Sequence, residues 1–378
     1  MKEPRPKSES GSGGDPHAGA PVILIAANAL KGTLEAGVVA SAIEEAVRLD
    51  GGRPLTLVGS DGGDGLLEAL RSARLIERET SWVVEGATGR PIRVPVGWLD
   101  PGTAVVESRM VTGPPQGWTG SPAQASTRGV GQILAAVGAE GASTVYVGLG
   151  GSVTMDGGLG MATSLGWRAL DTRGQSLPSR GEALGSLQRL LPPAGPPWVE
   201  GRRIVGLADV TNPLLGRDGA RVFARQKGAD EREEGRLAAG LERLVEVVGE
   251  PGARLAGLPG AGAAGGLGFG ILYFAQGTLT PGAPWVLDRL GFDGMVARAD
   301  AVVTAEGRFD ATSGHGKLPG EVIARARKAG VPVGLLAPLA EGVPEDVPVE
   351  SGGAIWDREA LVDHARVLLR RLLRLPGR

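Results

Sequence analysis

The chain has 378 residues, more than one typical hydrophobic core accommodates, and so predicts two domains. Its 40 Lys and Arg nearly balance 42 Asp and Glu, and a net charge of −2 argues against nucleic acid as a partner. The absence of cysteine removes disulfides, thiolate metal sites and cysteine nucleophiles together, and three histidines leave little for a Ser-His-Asp triad or a zinc centre. Acids, lysines, arginines and glycines must carry any reaction, and these groups suit phosphoryl transfer assisted by a hard cation.

Residues 1–20 are polar and rich in Gly, Ser and Pro, which predicts a disordered leader. They show no signal-peptide pattern, so the expectation is a cytoplasmic protein. VILIAAN (22–28) then reads as a buried strand, 34–49 as a helix and LTLVG (55–59) as a second strand, followed by SDGGDG and a further helix. Strand–helix alternation of this kind opens a parallel, helix-flanked sheet.

From 80 to 110 the pattern changes to short strands separated by turns: SWVVEG, PIRVPVGWL and TAVVESRM predict a β-meander. A helix (129–138) and strands at 144–151 and 203–210 follow. Residues 255–287 carry no charge, but glycines and prolines interrupt them and ILYFA is too short to span a bilayer, so no membrane partner is expected. Near 300 the first style returns with a strand at 299–307, a helix at 319–329, a strand at 331–338 and a last helix at 356–375. The prediction is one α/β domain built from residues 21–76 and 290–378, with an inserted α/β domain at 77–289.

Several glycine-rich, acid-bearing segments follow predicted strands. In SDGGDG (60–65), Asp61 and Asp64 could hold Mg²⁺ through water, or Asp64 could cap the next helix. GLGGSVTMDGGLG (148–160) offers amides and the hydroxyls of Ser152 and Thr154 to an anion, or else forms a tight turn with close packing. Asp209 in LADVTNPLLG suits a general base or metal ligand, with turn capping as the alternative. GAGAAG (260–265) matches a dinucleotide template but lacks a good preceding strand, so phosphate contact or loop geometry is the better reading. TAEGRFDATSGHGK (304–317) ends like a P-loop, yet Ala311 and Leu318 break the template; its acids and cations still suit ATP–Mg²⁺ handling.

LKGT (30–33), SDGGDG, STRGVGQ (126–132), GLGGSVTMDGGLGM, ADVTNPLLG with ARVFARQKGA (208–229), LPGAGAAGGLGFG (258–270) and EGRFDATSGHGK occur in one characteristic order. Across roughly residues 22–340 the sequence resembles the bacterial type I glycerate kinase family. The resemblance implies a flavodoxin-like parallel-sheet domain with an inserted restriction-endonuclease-like α/β domain. It also implies ATP-dependent, Mg²⁺-assisted phosphorylation of D-glycerate, usually to 2-phosphoglycerate. The chain departs from the family pattern at Asn28, where Asp is usual, and at Arg128, Met155, Ala305 and Thr312, which replace Tyr, Asn, Gly and Gln.

On this resemblance the expected catalytic set is Asp209 as the acid that orients or deprotonates the hydroxyl, Asp156 as second choice, and Lys31 and Arg308 as cations. Gly150, Gly151, Ser152, Thr154, Gly157, Gly158, Lys227, Gly262, Gly265, Gly266, Glu306 and Lys317 are expected to bind substrate or nucleotide. Asp61 and Asp64 are expected to hold the metal. A homodimer is compatible with the pattern. Two other classes stand beside this reading: a weakened homologue that binds without turnover, suggested by Asn28 and Met155, and a nicotinamide-dependent oxidoreductase resting on GAGAAG alone.

Overall fold

The computed structural model describes residues 19–30, 32–195, 198–310, 316–353 and 355–373. Two open sheets organise them. The first is wholly parallel and runs, edge to edge, Val349–Glu350, Val333–Leu336, Ala301–Ala305, Val22–Ala27 and Arg53–Val58. Ile23 lies opposite Ala301, so the two ends of the chain meet in one sheet, the pairing that renewed alternation near 300 predicts.

The second sheet has six strands: Thr278–Pro281, Arg203–Ala208, Thr144–Leu149, Thr103–Glu107, Pro91–Asp100 and Arg78–Glu85. The first four are parallel, and the last two add antiparallel at one edge, which is the predicted meander.

Side-chain alternation builds the layers, because successive residues of a strand face opposite sides of its sheet. Ile23, Ile25 and Ala27 face the helices Ala36–Leu49 and Arg358–Leu372. Leu24 and Ala26 face the other way, into a core shared with the helices Leu66–Ser72, Gly282–Arg289 and Leu318–Lys328. Val105, Tyr146, Val205 and Leu207 of the second sheet enter that same core, while Ala104, Val106, Val145, Val147 and Ile204 point into a third core. The result is five layers, helix–sheet–helix–sheet–helix, with one helical layer serving both sheets. Helix Ala36–Leu49 fits its place through Val39, Ile43, Ala46 and Val47, which are buried at helical spacing.

The uncharged stretch 255–287 folds as helix Ala263–Tyr273, edge strand Thr278–Pro281 and helix Gly282–Arg289. Leu267, Phe269, Ile271 and Phe274 are buried there, so its apolarity serves the core. Among the described residues, no helix is long and apolar enough to cross a membrane.

Candidate active site

The parallel strands of both sheets deliver their carboxyl ends to one region, where crossovers leave space between loops. SDGGDG follows Arg53–Val58 and wedges between the sheets. A methyl group on Gly63 would stand 2.9 Å from the Leu149 carbonyl, and one on Gly62 2.5 Å from the Gly282 Cα. Only glycine permits this approach. Asp61 is buried, and its Oδ1 accepts the Leu318 amide at 2.7 Å while Oδ2 accepts the Asn28 side-chain amide at 2.8 Å. One carboxylate thereby ties together the loops after three adjacent strands.

That bond gives Asn28 a role. A carboxylate in its place would meet Asp61 oxygen to oxygen and could donate only if protonated, whereas the amide donates at every pH. Two other departures are likewise accommodated: Met155 is buried in the core, and Arg128 pairs with Glu85 at 3.2 Å.

A cleft of about 710 Å³ opens beside these loops, with Asn28, Asp61, Asp64, Glu107, Arg109 and Asp209 in its wall. Asp64 Oδ2 bonds Arg109 at 3.0 Å, and its Oδ1 is enclosed without a hydrogen-bond partner. Gly151 makes room for both, because a Cβ there would lie 2.5 Å from Asp64 Oδ1 and 2.7 Å from the Arg109 guanidinium. Glu107 is buried and accepts the Gly65 and Leu67 amides at 2.9 and 3.2 Å, capping the helix Leu66–Ser72 from another strand. Burial pushes its carboxyl above the ordinary range, against those two donors.

Glu107 and Arg109 escaped the sequence reading. Glu107 is the last residue of the strand Thr103–Glu107 and Arg109 stands two residues beyond it, near a strand's carboxyl end as the other acids are. That position was the available signal; the segment lacks the glycines that flag the rest.

Asp156 lies elsewhere. It is fully buried, and it accepts the amides of Thr127, Gly158 and Gly160 and the Thr127 hydroxyl, all within 3.1 Å. Burial pushes its carboxyl up while these donors favour the ionised form. Lys227 is also buried. Its Nζ donates to Ser152 Oγ at 2.7 Å and to the Thr154 carbonyl at 3.0 Å. Burial brings this ammonium down to about 7, partly offset by Asp156 and Asp209.

The glycines around Asp156 pack against the second glycine-rich segment. A Cβ on Gly265 would fall 1.8 Å from the Thr154 carbonyl oxygen, one on Gly266 2.7 Å from Gly157 Cα, and one on Gly158 2.6 Å from Gly270 Cα. Ala264, Gly265 and Gly266 are all left-handed, and Gly157 donates to the Gly265 carbonyl at 3.2 Å. The anion cradle expected of Gly157, Gly158, Gly262, Gly265 and Gly266 is therefore occupied by protein: these residues bring two backbones together and do not wall the cleft. GAGAAG follows the helix Glu250–Ala256, not a strand, so the strand–turn–helix setting of a dinucleotide fingerprint is absent.

The expected convergence of Asp61, Asp64, Asp156, Asp209, Glu306 and Lys317 on one cleft is thus met by Asp61, Asp64 and Asp209, which share its wall. Asp156 is enclosed behind the loop it braces. Glu306 is buried at a strand end, and Lys317 stands at the start of helix Leu318–Lys328; neither walls the cleft. Gly150 abuts Asp64, and Ser152 and Thr154 hold Lys227. Arg308 lies 3.7 Å from Asp310 and is mostly exposed. Lys31 and His315 fall outside the described residues.

Fold and site together define an α/β protein with an acid-walled cleft at the carboxyl ends of parallel strands. Residues 23–354 match the glycerate kinase family, and the chain belongs to it. It is 35% identical to the glycerate kinase of Bacillus subtilis over 82% of this chain and 83% of that protein. It is 33% identical to the glycerate 2-kinase of Escherichia coli over 85% and 86%. A crystal structure of a glycerate kinase 2 candidate from Salmonella typhimurium LT2 superposes with a TM-score of 0.72 at 31% identity, covering 92% of this chain and 95% of that one.

Proposed function

We propose that the protein carries out the reaction of its family, transferring the γ-phosphoryl group of ATP to a hydroxyl of D-glycerate, with 2-phosphoglycerate as the product. The observation that carries the site assignment is Asp209 in the wall of a cleft that also holds Asp61, Asp64 and Arg109. In this reading the glycerate hydroxyl oxygen bonds to phosphorus, the bond from phosphorus to the ADP oxygen breaks, and Asp209 takes the hydroxyl proton. Arg109 attracts the anionic groups from the cleft wall, the buried Lys227 acts on them through its charge from behind Ser152, and Lys31 and Arg308 are further candidate cations. Asp156 acts indirectly, holding the loop that carries Ser152 and Thr154. Positioning and electrostatics supply most of the rate in such transfers.

Acids outnumber arginines in the cleft wall, which disfavours a bare polyphosphate and favours one that brings a cation. The enclosed Asp64 Oδ1 fits one ligand position for Mg²⁺, while both Asp61 oxygens are already engaged. Magnesium in kinases needs only one or two protein carboxylates, because phosphates and water supply the rest. When bound, it neutralises phosphate charge; Asp64 would hold it and Asp61 would fix the loop.

The wholly parallel first sheet with helices on both faces supports a flavodoxin-like domain formed by 21–76 and 290–378, and the second sheet an inserted domain at 77–289 resembling restriction endonucleases. We place the enzyme in the cytoplasm, as a monomer or homodimer, with glycerate as its small-molecule partner. Coupled ADP release over a panel of small hydroxy acids tests the reading. Glycerate should give the highest kcat/KM, with the product assigned by phosphorus NMR. ATP binding without turnover on any acid would instead favour the weakened homologue, the reading that Asn28 motivates.

A further inference from the structure

We propose that a second cavity beside Asp209, of about 430 Å³, receives the adenine ring of the nucleotide, an inference that rests on the kinase reading above. Asp209 belongs to the walls of both cavities, so a ligand filling the second one reaches the acid-walled cleft directly. The two are chemically opposite. Leu258, Pro259, Leu272, Leu279 and Val210 dominate the smaller cavity, and Asp209 is the one charged side chain among its described wall residues. Such a wall cannot repay the desolvation of a carboxylate or phosphate, but it suits a flat heteroaromatic ring.

The polar groups present are of the kind a base requires. Thr278 and Thr280 lie in the wall, on the strand Thr278–Pro281. That strand stands at the edge of the six-stranded sheet, paired on one side with Arg203–Ala208. An edge strand presents backbone N–H and C=O groups away from its sheet, the donor–acceptor pair that the ring nitrogen and amino group of adenine complement. The threonine hydroxyls can donate or accept as the base demands. In the larger cleft, Arg71 and Arg109 lie in the wall and supply the positive charge that phosphates require.

Calorimetry with a non-hydrolysable ATP analogue, AMP-PNP with Mg²⁺, tests the assignment apart from turnover. Leu258 is 39% exposed, so Leu258→Asp should fold as wild type does, checked by its melting temperature. It should weaken AMP-PNP at least tenfold and leave Mg-tripolyphosphate, which has no base, unchanged. In steady state KM for ATP should rise while KM for glycerate and kcat hold. Wild-type affinity for AMP-PNP in Leu258→Asp overturns the proposal and leaves the kinase reading standing. A higher KM for glycerate with an unchanged KM for ATP overturns it too, by placing the acceptor in this cavity. No AMP-PNP binding by wild type overturns both readings.

Discussion

Lys227 provides a quantitative test of the site through pH. Burial brings its ammonium down to about 7, against Asp156 and Asp209, and Ser152 Oγ and the Thr154 carbonyl accept from its Nζ. A group titrating there is about 90% protonated one unit below that value and about 10% protonated one unit above it. If the ammonium is the form that attracts anionic substrates, kcat/KM for glycerate should fall roughly tenfold between about pH 6 and about pH 8. Coupled ADP release with Mg-ATP saturating measures it. Lys227→Arg keeps its charge across this window, because guanidinium does not deprotonate in proteins, so its profile should be flat. Lys227→Met should lack the low-pH plateau. A wild-type profile that rises through pH 7, or the same fall in Lys227→Arg, would refute the reasoning and assign the titration to another group.

Folding stability should respond to the same lysine with a definite sign. Its folded value of about 7 lies below the ordinary lysine value of about 10.4, so between those limits the unfolded chain binds more protons and stability rises with pH. Denaturant melts should show that rise in wild type and its loss in Lys227→Met. Asp209→Asn keeps the shape and removes the charge, and should lower kcat by about 10²-fold or more with an unchanged melt; a rate within about threefold would leave Asp209 as a turn residue. Gly265→Ala drives a Cβ to within 1.8 Å of the Thr154 carbonyl at a left-handed backbone position, and should cost about 2–5 kcal/mol in a urea melt. Asp61→Ala strips the Leu318 amide and the Asn28 side chain of their acceptor, and should cost about 2–4 kcal/mol by the same measurement.

What the sequence disclosed, and what it hid, follows from the range over which each signal acts. Strand Val22–Ala27, helix Ala36–Leu49 and strand Ala301–Ala305 were legible because hydrophobic periodicity is local, and the return of the same rhythm near 300 foretold their common sheet. Asp61, Asp64 and Asp209 were legible because each follows a strand, and parallel strands deliver their ends to one place. Glu107 and Arg109 share that position without the glycines, so composition did not mark them. The glycines misled in the opposite direction. Thr154 and Gly265 stand more than a hundred residues apart, and nothing within either segment says that the other will fill the space a ligand was expected to take.

Asn28 shows why a departure from a family pattern cannot be weighed by residue type alone. Replacing a carboxylate by an amide reads in the sequence as lost function. In the fold, the amide donates to Asp61, whose other oxygen holds Leu318, so the substitution exchanges one charge of the cleft for a neutral hydrogen-bond donor. Asp64 keeps an enclosed oxygen without a hydrogen-bond partner, the carboxylate oxygen that the proposed reading assigns to a cation. The chemistry that the missing acid would have supplied can therefore rest on Asp64 and Asp209, and the Asp209→Asn rate tests whether it does.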